Sequence, residues 1–323
     1  MPLGAVYGAI AGHRLRRKGL EAGIPVLCVG NYHLGGAGKT PMVLALVKVL
    51  RDLGETPVVL SRGYGGKLRG PVLVDPDRHA AIDVGDEPLM LARSVPVAVA
   101  RERIDGVALA RSQGATVIVM DDGFQNPAIA KDASLIVIDA QRGLGNACVF
   151  PAGPLRAPLK QQIARTDALI VVGDGSAAKS VAAAVASQGK PVVSARIKAD
   201  PALVASLQGK RVLAFAGIGD PSRFFRTLRA NAINIVAERR FADHHPYSRQ
   251  EVDGLIADAK GGALTMLTTE KDLARLRGRK DLGEGVDEII ALPVTLEAEG
   301  TRLQKLISAW LFDARDRKLR STR

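Results

Sequence analysis

Residues 26–50 constrain this chain more than any other stretch. The apolar, β-branched run Val26-Leu27-Cys28-Val29-Gly30 breaks into Asn31-Tyr32-His33-Leu34-Gly35-Gly36-Ala37-Gly38-Lys39-Thr40-Pro41, and residues 42–50 continue with apolar side chains at helical spacing. The order is strand, glycine-rich turn, helix. Glycines there let successive backbone N–H groups face an anion, and the helix start behind them adds the positive end of its dipole. Leu34, Gly35, Gly36, Ala37, Gly38, Lys39 and Thr40 are therefore a candidate phosphate cradle, with Lys39 a cation for β/γ-phosphates and the Thr40 hydroxyl a ligand for Mg²⁺. The strict G-x-x-x-x-G-K-[ST] pattern asks for Gly where His33 stands, so the loop fits the G-G-x-G-K-T variant.

A length of 323 residues predicts about two domains, and 47% apolar residues suffice for a sizeable core. Cys28 and Cys148 alone give neither a disulfide framework nor metal-ligand spacing, which fits a reducing, cytosolic compartment. The net charge of +12 calls for acidic partners, but aromatics make up only 4% and do not interleave with basic stretches. A phosphate ligand or an anionic membrane surface is expected, and no nucleic acid.

No apolar run reaches 18 residues, so no spanning helix is expected. At the start, Leu3, Val6, Tyr7, Ile10 and Ala11 recur at helical spacing ahead of the cluster His13-Arg14-Leu15-Arg16-Arg17-Lys18. The apolar part is too short for a secretory signal and its charges lie on the wrong side of it. Residues 1–22 read as an amphipathic helix on the cytoplasmic leaflet, or as a surface helix packed on the core.

Further along, residues 56–61 form a second predicted strand that runs into Arg62-Gly63-Tyr64-Gly65-Gly66, where open α/β sheets place ligands; Ser61, Arg62 and Tyr64 are site candidates. Asp86 and Glu87 precede a predicted helix, where they favour its dipole, and Asp86 is also a candidate general base. Arg103 follows the short apolar strand 95–100, in position to neutralise a transferring phosphoryl group or to form a surface ion pair. The continuous apolar run 115–120 predicts a strand buried on both faces, ending in Asp121-Asp122-Gly123-Phe124-Gln125. Paired carboxylates at such a strand end suit a divalent cation. After a strand over 134–139 comes the Pro/Gly-rich loop 150–159, whose single charge, Arg156, is a candidate phosphate contact.

From residue 191 the pattern restarts, with predicted strands over 192–195, 211–220, 266–272 and 288–292 and no second phosphate loop. Between them Asp243-His244-His245 offers a carboxylate-oriented histidine as a catalytic base, or merely polar surface. The tail 313–323, with five cations, is expected to fray. The predicted architecture is α/β: an amphipathic helix (1–22), a P-loop NTPase-like doubly wound sheet (23–190) and a smaller α/β domain (191–323).

Taken in one order from residue 26 to 272, these stretches resemble the tetraacyldisaccharide 4′-kinase family: Gly35-Gly36-Ala37-Gly38-Lys39-Thr40-Pro41, Ser61-Arg62-Gly63-Tyr64-Gly65, Gly85-Asp86-Glu87-Pro88, Asp121-Asp122-Gly123-Phe124-Gln125, Pro151-Ala152-Gly153-Pro154-Leu155-Arg156, Asp243-His244-His245 and Thr269-Glu270-Lys271-Asp272. The resemblance implies ATP, Mg²⁺ and transfer of the γ-phosphoryl to the 4′-hydroxyl of a tetraacylated glucosamine disaccharide 1-phosphate, at the cytoplasmic face of the bacterial inner membrane. It implies Asp86 as base assisted by His244 or His245, Lys39, Arg103 and Arg156 on phosphates, Thr40, Asp121 and Asp122 on the metal, and Arg62, Tyr64 and Gln125 on the substrate. Asn126 stands where the family usually has His, Ala157 where it has a metal-shell Glu, and the N-terminal apolar segment is shorter. A membrane-associated nucleotide-switch ATPase is the rival class, but Leu34 occupies the place of its signature lysine. A cytosolic kinase for a small soluble substrate is opposed by the basic amphipathic start.

Overall fold

The computed structural model describes residues 2–36, 38–277 and 279–321. Its first eight strands are Val26–Gly30 (β1), Pro57–Ser61 (β2), Val72–Leu73 (β3), Val97–Val99 (β4), Val117–Asp121 (β5), Ala133–Asp139 (β6), Ala168–Val172 (β7) and Val192–Ala199 (β8). Next come Arg211–Ala216 (β9), Asn234–Arg240 (β10), Thr265–Thr269 (β11), Ile290–Leu292 (β12) and Val294–Ala298 (β13). Among the described residues they make a nine-stranded sheet in the order β13-β8-β7-β6-β1-β5-β2-β4-β3 and a four-stranded sheet in the order β10-β9-β11-β12. The large sheet is parallel except for its edges, where β3 and β13 run antiparallel to their neighbours. Strand β1 lies between β5 and β6, so the chain order reverses beside it. Open α/β sheets bind ligands at the carboxyl ends of strands flanking such a reversal.

The central strands are apolar throughout because both faces are covered. On one face Leu27, Val29 and Val119 pack with Met42, Leu46 and Leu50 of the helix Lys39–Asp52 and with Leu303, Ile307 and Leu311 of the helix Arg302–Ser321. On the other, Val26, Cys28, Ile118 and Met120 pack with Leu15, Val107, Ile163 and Val181. Successive strand residues thus serve opposite layers. The smaller sheet is covered in the same manner, by Val252 and Leu255 on one face and Phe225 and Leu228 on the other.

Three expectations are corrected. Strand β8, assigned from sequence to the second unit, is hydrogen-bonded between β7 and β13 of the large sheet, and β13 returns there after the small sheet. The second unit is therefore an insertion spanning residues 201–292, and the boundary near 190 falls too early. Second, β10 and β13 were not foreseen; both are edge strands, and charged positions such as the half-buried Glu238 and the exposed Glu297 dilute the apolar signal. Third, the tail is helical to Ser321 rather than frayed. Its Arg315 pairs with Glu55 at 2.7 Å and its Lys318 with Asp132 at 3.0 Å, tying it to the chain just ahead of β2 and β6.

The N-terminal segment forms the helix Pro2–Arg16, which lies against the helix Leu159–Ala164. It leaves Val6 and Ile10, each 59% exposed, facing outward. No helix of the described residues is long and apolar enough to cross a membrane.

Candidate active site

Strand β1 delivers the chain into the glycine-rich loop, and the loop ends at Gly38, whose positive φ caps the helix Lys39–Asp52. No side chain caps this helix start. The proline-rich loop braces it from the side: the Leu34 amide donates to Pro154 O at 2.9 Å, and the Arg156 amide to Tyr32 O at 2.9 Å. His33, in place of the expected glycine, is buried; its Nδ1 bonds the Leu34 carbonyl while its Nε2 has no protein partner. Burial lowers its pKa, so it stands as a neutral wall of the loop. Of the predicted cradle, Ala37 lies outside the described residues.

Asp121 and Asp122 end strand β5 beside this loop, with Asp121 in register with Val29. Asp122 adopts a positive φ of 47° and accepts both forks of the Arg156 guanidinium, at 2.9 and 3.0 Å, with Lys39 at 3.7 Å. Burial pushes its carboxyl up, but Lys39 and Arg156 outweigh that and hold it below the usual range. Asp121 has no such cation in contact; burial, then the charges of Glu87 and Asp122, push it up to about 7. Its nearest side-chain partner is the Ser61 hydroxyl at 3.4 Å. Crowded carboxylates of this kind, beside the buried Thr40, are the donor set a hard cation relieves.

Arg103 sits under the same site, 2% exposed, donating to Leu60 O and Asp121 O, both at 3.1 Å. Its Nε is unpartnered. Gln125 bridges Asn31 O and Gln162, and its Oε1 faces Arg156 at 3.5 Å. Ala157, where the family resemblance implies a carboxylate, is fully buried and its carbonyl accepts from Gln162, so nothing there replaces the missing acid.

Asp86 opens the helix Asp86–Ala92 behind Gly85, whose φ of 93° only glycine adopts readily. A side chain on Gly85 would also meet Tyr64 O at 2.5 Å. The Asp86 carboxylate is 4% exposed, accepts from the Glu87 amide and from His244 Nδ1 at 3.0 Å, and forms an ion pair with Arg275, whose Nε lies 3.2 Å from Oδ2. Burial raises its pKa, yet the bond from His244 and the charges of His244, Lys271 and Arg275 bring it below the usual value. The bond to Asp86 in turn raises His244 above its usual 6.5, against the effect of burial. Glu87 is paired with Lys271.

Sequence spacing left open which histidine would join Asp86; it is His244, from the inserted unit. His245, expected as an alternative assistant, bonds Glu251 at 2.9 Å and stacks on Phe241, which removes it from Asp86. Its ring braces the start of the helix Arg249–Gly262, a structural task. Lys271 and Arg275 received no role from the sequence, because both lie on the helix Glu270–Leu276, about 185 residues from their partners. The Thr269-Glu270-Lys271-Asp272 stretch was the available signal.

Two cavities meet at Lys39. One, of about 170 Å³, is largely apolar and lies between the helix Lys39–Asp52 and the inserted unit, with Thr40, Leu44, Ile218, Phe224 and Lys271 among its walls. Arg223 reaches across from the insertion to pair with Asp139 of β6 at 3.3 Å. The other, of about 550 Å³, is bounded by Arg62, Tyr64, Asp121, Asp122, Arg156 and His244, and on its far side by Tyr7, Ile10 and Arg14 of the N-terminal helix. Asp86 lines neither; His244 presents its pair to the larger cavity.

Residues 1–311 match the family described as tetraacyldisaccharide-1-P 4′-kinase. The tetraacyldisaccharide 4′-kinase of Bradyrhizobium diazoefficiens is 64% identical over 318 residues, 98% of this chain and 93% of that protein. That of Rhodopseudomonas palustris strain BisB5 is 61% identical over 319 residues, 98% of this chain and 94% of that protein. The crystal structure of LpxK from Aquifex aeolicus in complex with ATP superposes with a TM-score of 0.73 at 26% identity, covering 96% of this chain and 98% of the other.

Proposed function

The chain belongs to the tetraacyldisaccharide-1-P 4′-kinase family, and on that premise we propose that it moves the γ-phosphoryl of ATP to the 4′-hydroxyl of a tetraacylated glucosamine disaccharide 1-phosphate, a step of lipid A biosynthesis, through the residues described above. The observation that carries the reading is the convergence of the phosphate loop, the Asp121-Asp122 pair and His244 on one cavity that also opens onto the N-terminal helix.

In this reading the nucleoside occupies the apolar cavity and its phosphates lie along the loop amides and Lys39. Thr40 and Asp121 would hold Mg²⁺, with Asp122 joining if it exchanges Arg156 for the cation. No group of three or more His, Cys, Asp or Glu side chains among the described residues is placed to hold a metal, which suits an ion that takes most ligands from water and phosphates. Bound there, the cation would offset charge on the β- and γ-phosphate oxygens.

The acceptor hydroxyl lies in the larger cavity, and its proton passes to the Asp86–His244 pair, with the ring on the cavity side and the carboxylate behind it stabilising the imidazolium. Arg156 offsets charge on the transferring group, and Arg103 holds the ends of β2 and β5 beneath it. Arg62 and Tyr64, both exposed at the rim, take the disaccharide, while Gln125 sets Arg156. Acyl chains leave past Val6, Tyr7 and Ile10, and Arg14, Arg16 and Arg17 face anionic headgroups, which makes the protein peripheral to the cytoplasmic face of the inner membrane.

The test is transfer from labelled ATP to the tetraacyl disaccharide monophosphate in detergent. Transfer by the native chain, abolished by Lys39→Met, is expected. No transfer by the folded native chain would refute the reading.

A further inference from the structure

Arg275 is 8% exposed and is held on every side by the insertion. Its Nη1 donates to His245 O at 3.1 Å, its Nη2 to Gly217 O at 2.8 Å and its Nε to Lys271 O at 3.4 Å; Nη2 also pairs with Asp272 Oδ1 at 3.0 Å, and the guanidinium lies 5.7 Å from the Tyr247 ring. Asp272 is itself fixed: fully buried, it accepts from the Tyr247 hydroxyl, the Gly217 amide and the Thr269 hydroxyl. The Arg275 Nε also lies 3.2 Å from Asp86 Oδ2, the oxygen that receives His244, so the guanidinium forms an ion pair with a carboxylate of the other unit. Neither Arg275 nor Asp86 lines the two cavities, so this guanidinium touches no phosphate there.

A buried cation hydrogen-bonded to three carbonyls of its own unit and ion-paired with a carboxylate of the other is an alignment device. We propose that Arg275 is a positioning residue: from the inserted unit it fixes the Asp86 carboxylate against His244 and sets the charge balance of the proton-accepting pair. This rests on the reading that the pair accepts the proton. The charged and titratable groups facing the pair are Glu87 on the helix of Asp86, Lys271, Asp272 and Arg275 on the helix Glu270–Leu276, and Asp243 in the turn, 3.9 Å from His244 Nε2.

With Arg275→Met, the negative field of Asp86 on His244 is less offset, so the ring keeps its proton to higher pH. The acid limb of kcat/KM should move up by about one pH unit, while the calorimetric affinity for ATP stays as in the native chain. Arg275→Lys restores a charge without the fork; its limb should return toward the native position with kcat still reduced about tenfold, the scale of one charge-assisted hydrogen bond. A purely structural residue would lower activity evenly across pH. A limb that does not move in Arg275→Met overturns the proposal. If that variant does not fold, an undiminished kcat in Arg275→Lys overturns it instead. Retained transfer in Asp86→Asn and His244→Ala would sink the proton-acceptor reading itself, a separate result.

Discussion

Replacing Asp86 by Asn keeps the shape of the site and removes one charge. In the native chain His244 donates Nδ1–H to a carboxylate that is 4% exposed, and the ring's pKa lies above 6.5. A hydrogen bond to a charged group contributes about 1.5–3 kcal/mol. The His244 side chain is 34% exposed, so solvent screening favours the lower end. At about 1.4 kcal/mol per pH unit, the His244 midpoint should fall by about one unit in Asp86→Asn. Asp243, 3.9 Å from Nε2, limits the fall, since its charge still favours the imidazolium. The assay is the ring titration of His244 by NMR, which needs no turnover.

Stability should follow with a defined sign. A histidine whose folded pKa is raised stabilises fully below its unfolded value and loses that contribution as pH rises through the folded value. The stability gap between native and Asp86→Asn chains is therefore widest below pH 6.5 while Asp86 stays ionised; it closes above as the ring loses its proton and in stronger acid as the carboxylate gains one. Kinetically, the native acid limb of kcat/KM should lie above 6.5, because the pair accepts a proton only once the ring is neutral. A limb in the carboxylate range would show Asp86 acting alone. An unmoved His244 midpoint in Asp86→Asn would refute the pairing outright.

Gly30→Ala would place a methyl 2.5 Å from Phe124 Cβ directly beneath the phosphate loop; overpacking of this kind should cost about 1–3 kcal/mol in urea unfolding and weaken ATP binding measured by calorimetry. Arg156→Met releases Asp122 from its two-pronged bond and removes a charge from the phosphoryl site; kcat should fall by about 10²–10³ with the ATP affinity changed far less. Reversing Arg14, Arg16 and Arg17 to Glu should abolish flotation with anionic vesicles at low salt, at about 1 kcal/mol per cation, while neutral vesicles serve as the control.

How far the amino-acid order reveals this molecule depends on burial. Strands β1, β5, β6 and β7 lie between helices on both faces, so their runs are apolar and plain to see. Strands β10 and β13 border solvent, and Glu238 or Glu297 at alternate positions hides them. The phosphate loop was legible because all its parts are contiguous. Spacing alone could not pair Asp86 with His244, 158 residues away; the family resemblance joined Asp86 to one of the two histidines, and the folded insertion selects His244. Nor could spacing show that Asp122 faces Arg156, because that contact depends on the shape of the proline-rich loop.

The insertion leaves the large sheet at β8 and re-enters at β13, and these strands run side by side, with the Asp200 amide bonded to Pro293 O at 2.9 Å. Its two stalks are thus neighbours, like the spine of a book, and any swing of the inserted leaf is confined to flexing about one line. The same adjacency makes excision simple to specify: removing residues 201–292 and bridging the stalks with a short turn would leave Lys39, Asp121 and Arg156 around an uninterrupted sheet while discarding His244 and Arg275. Such a trimmed chain would lose the proton-accepting pair together with the cavity wall formed by Ile218, Phe224 and Lys271, and keep only the phosphate loop's share of the grip on the nucleotide.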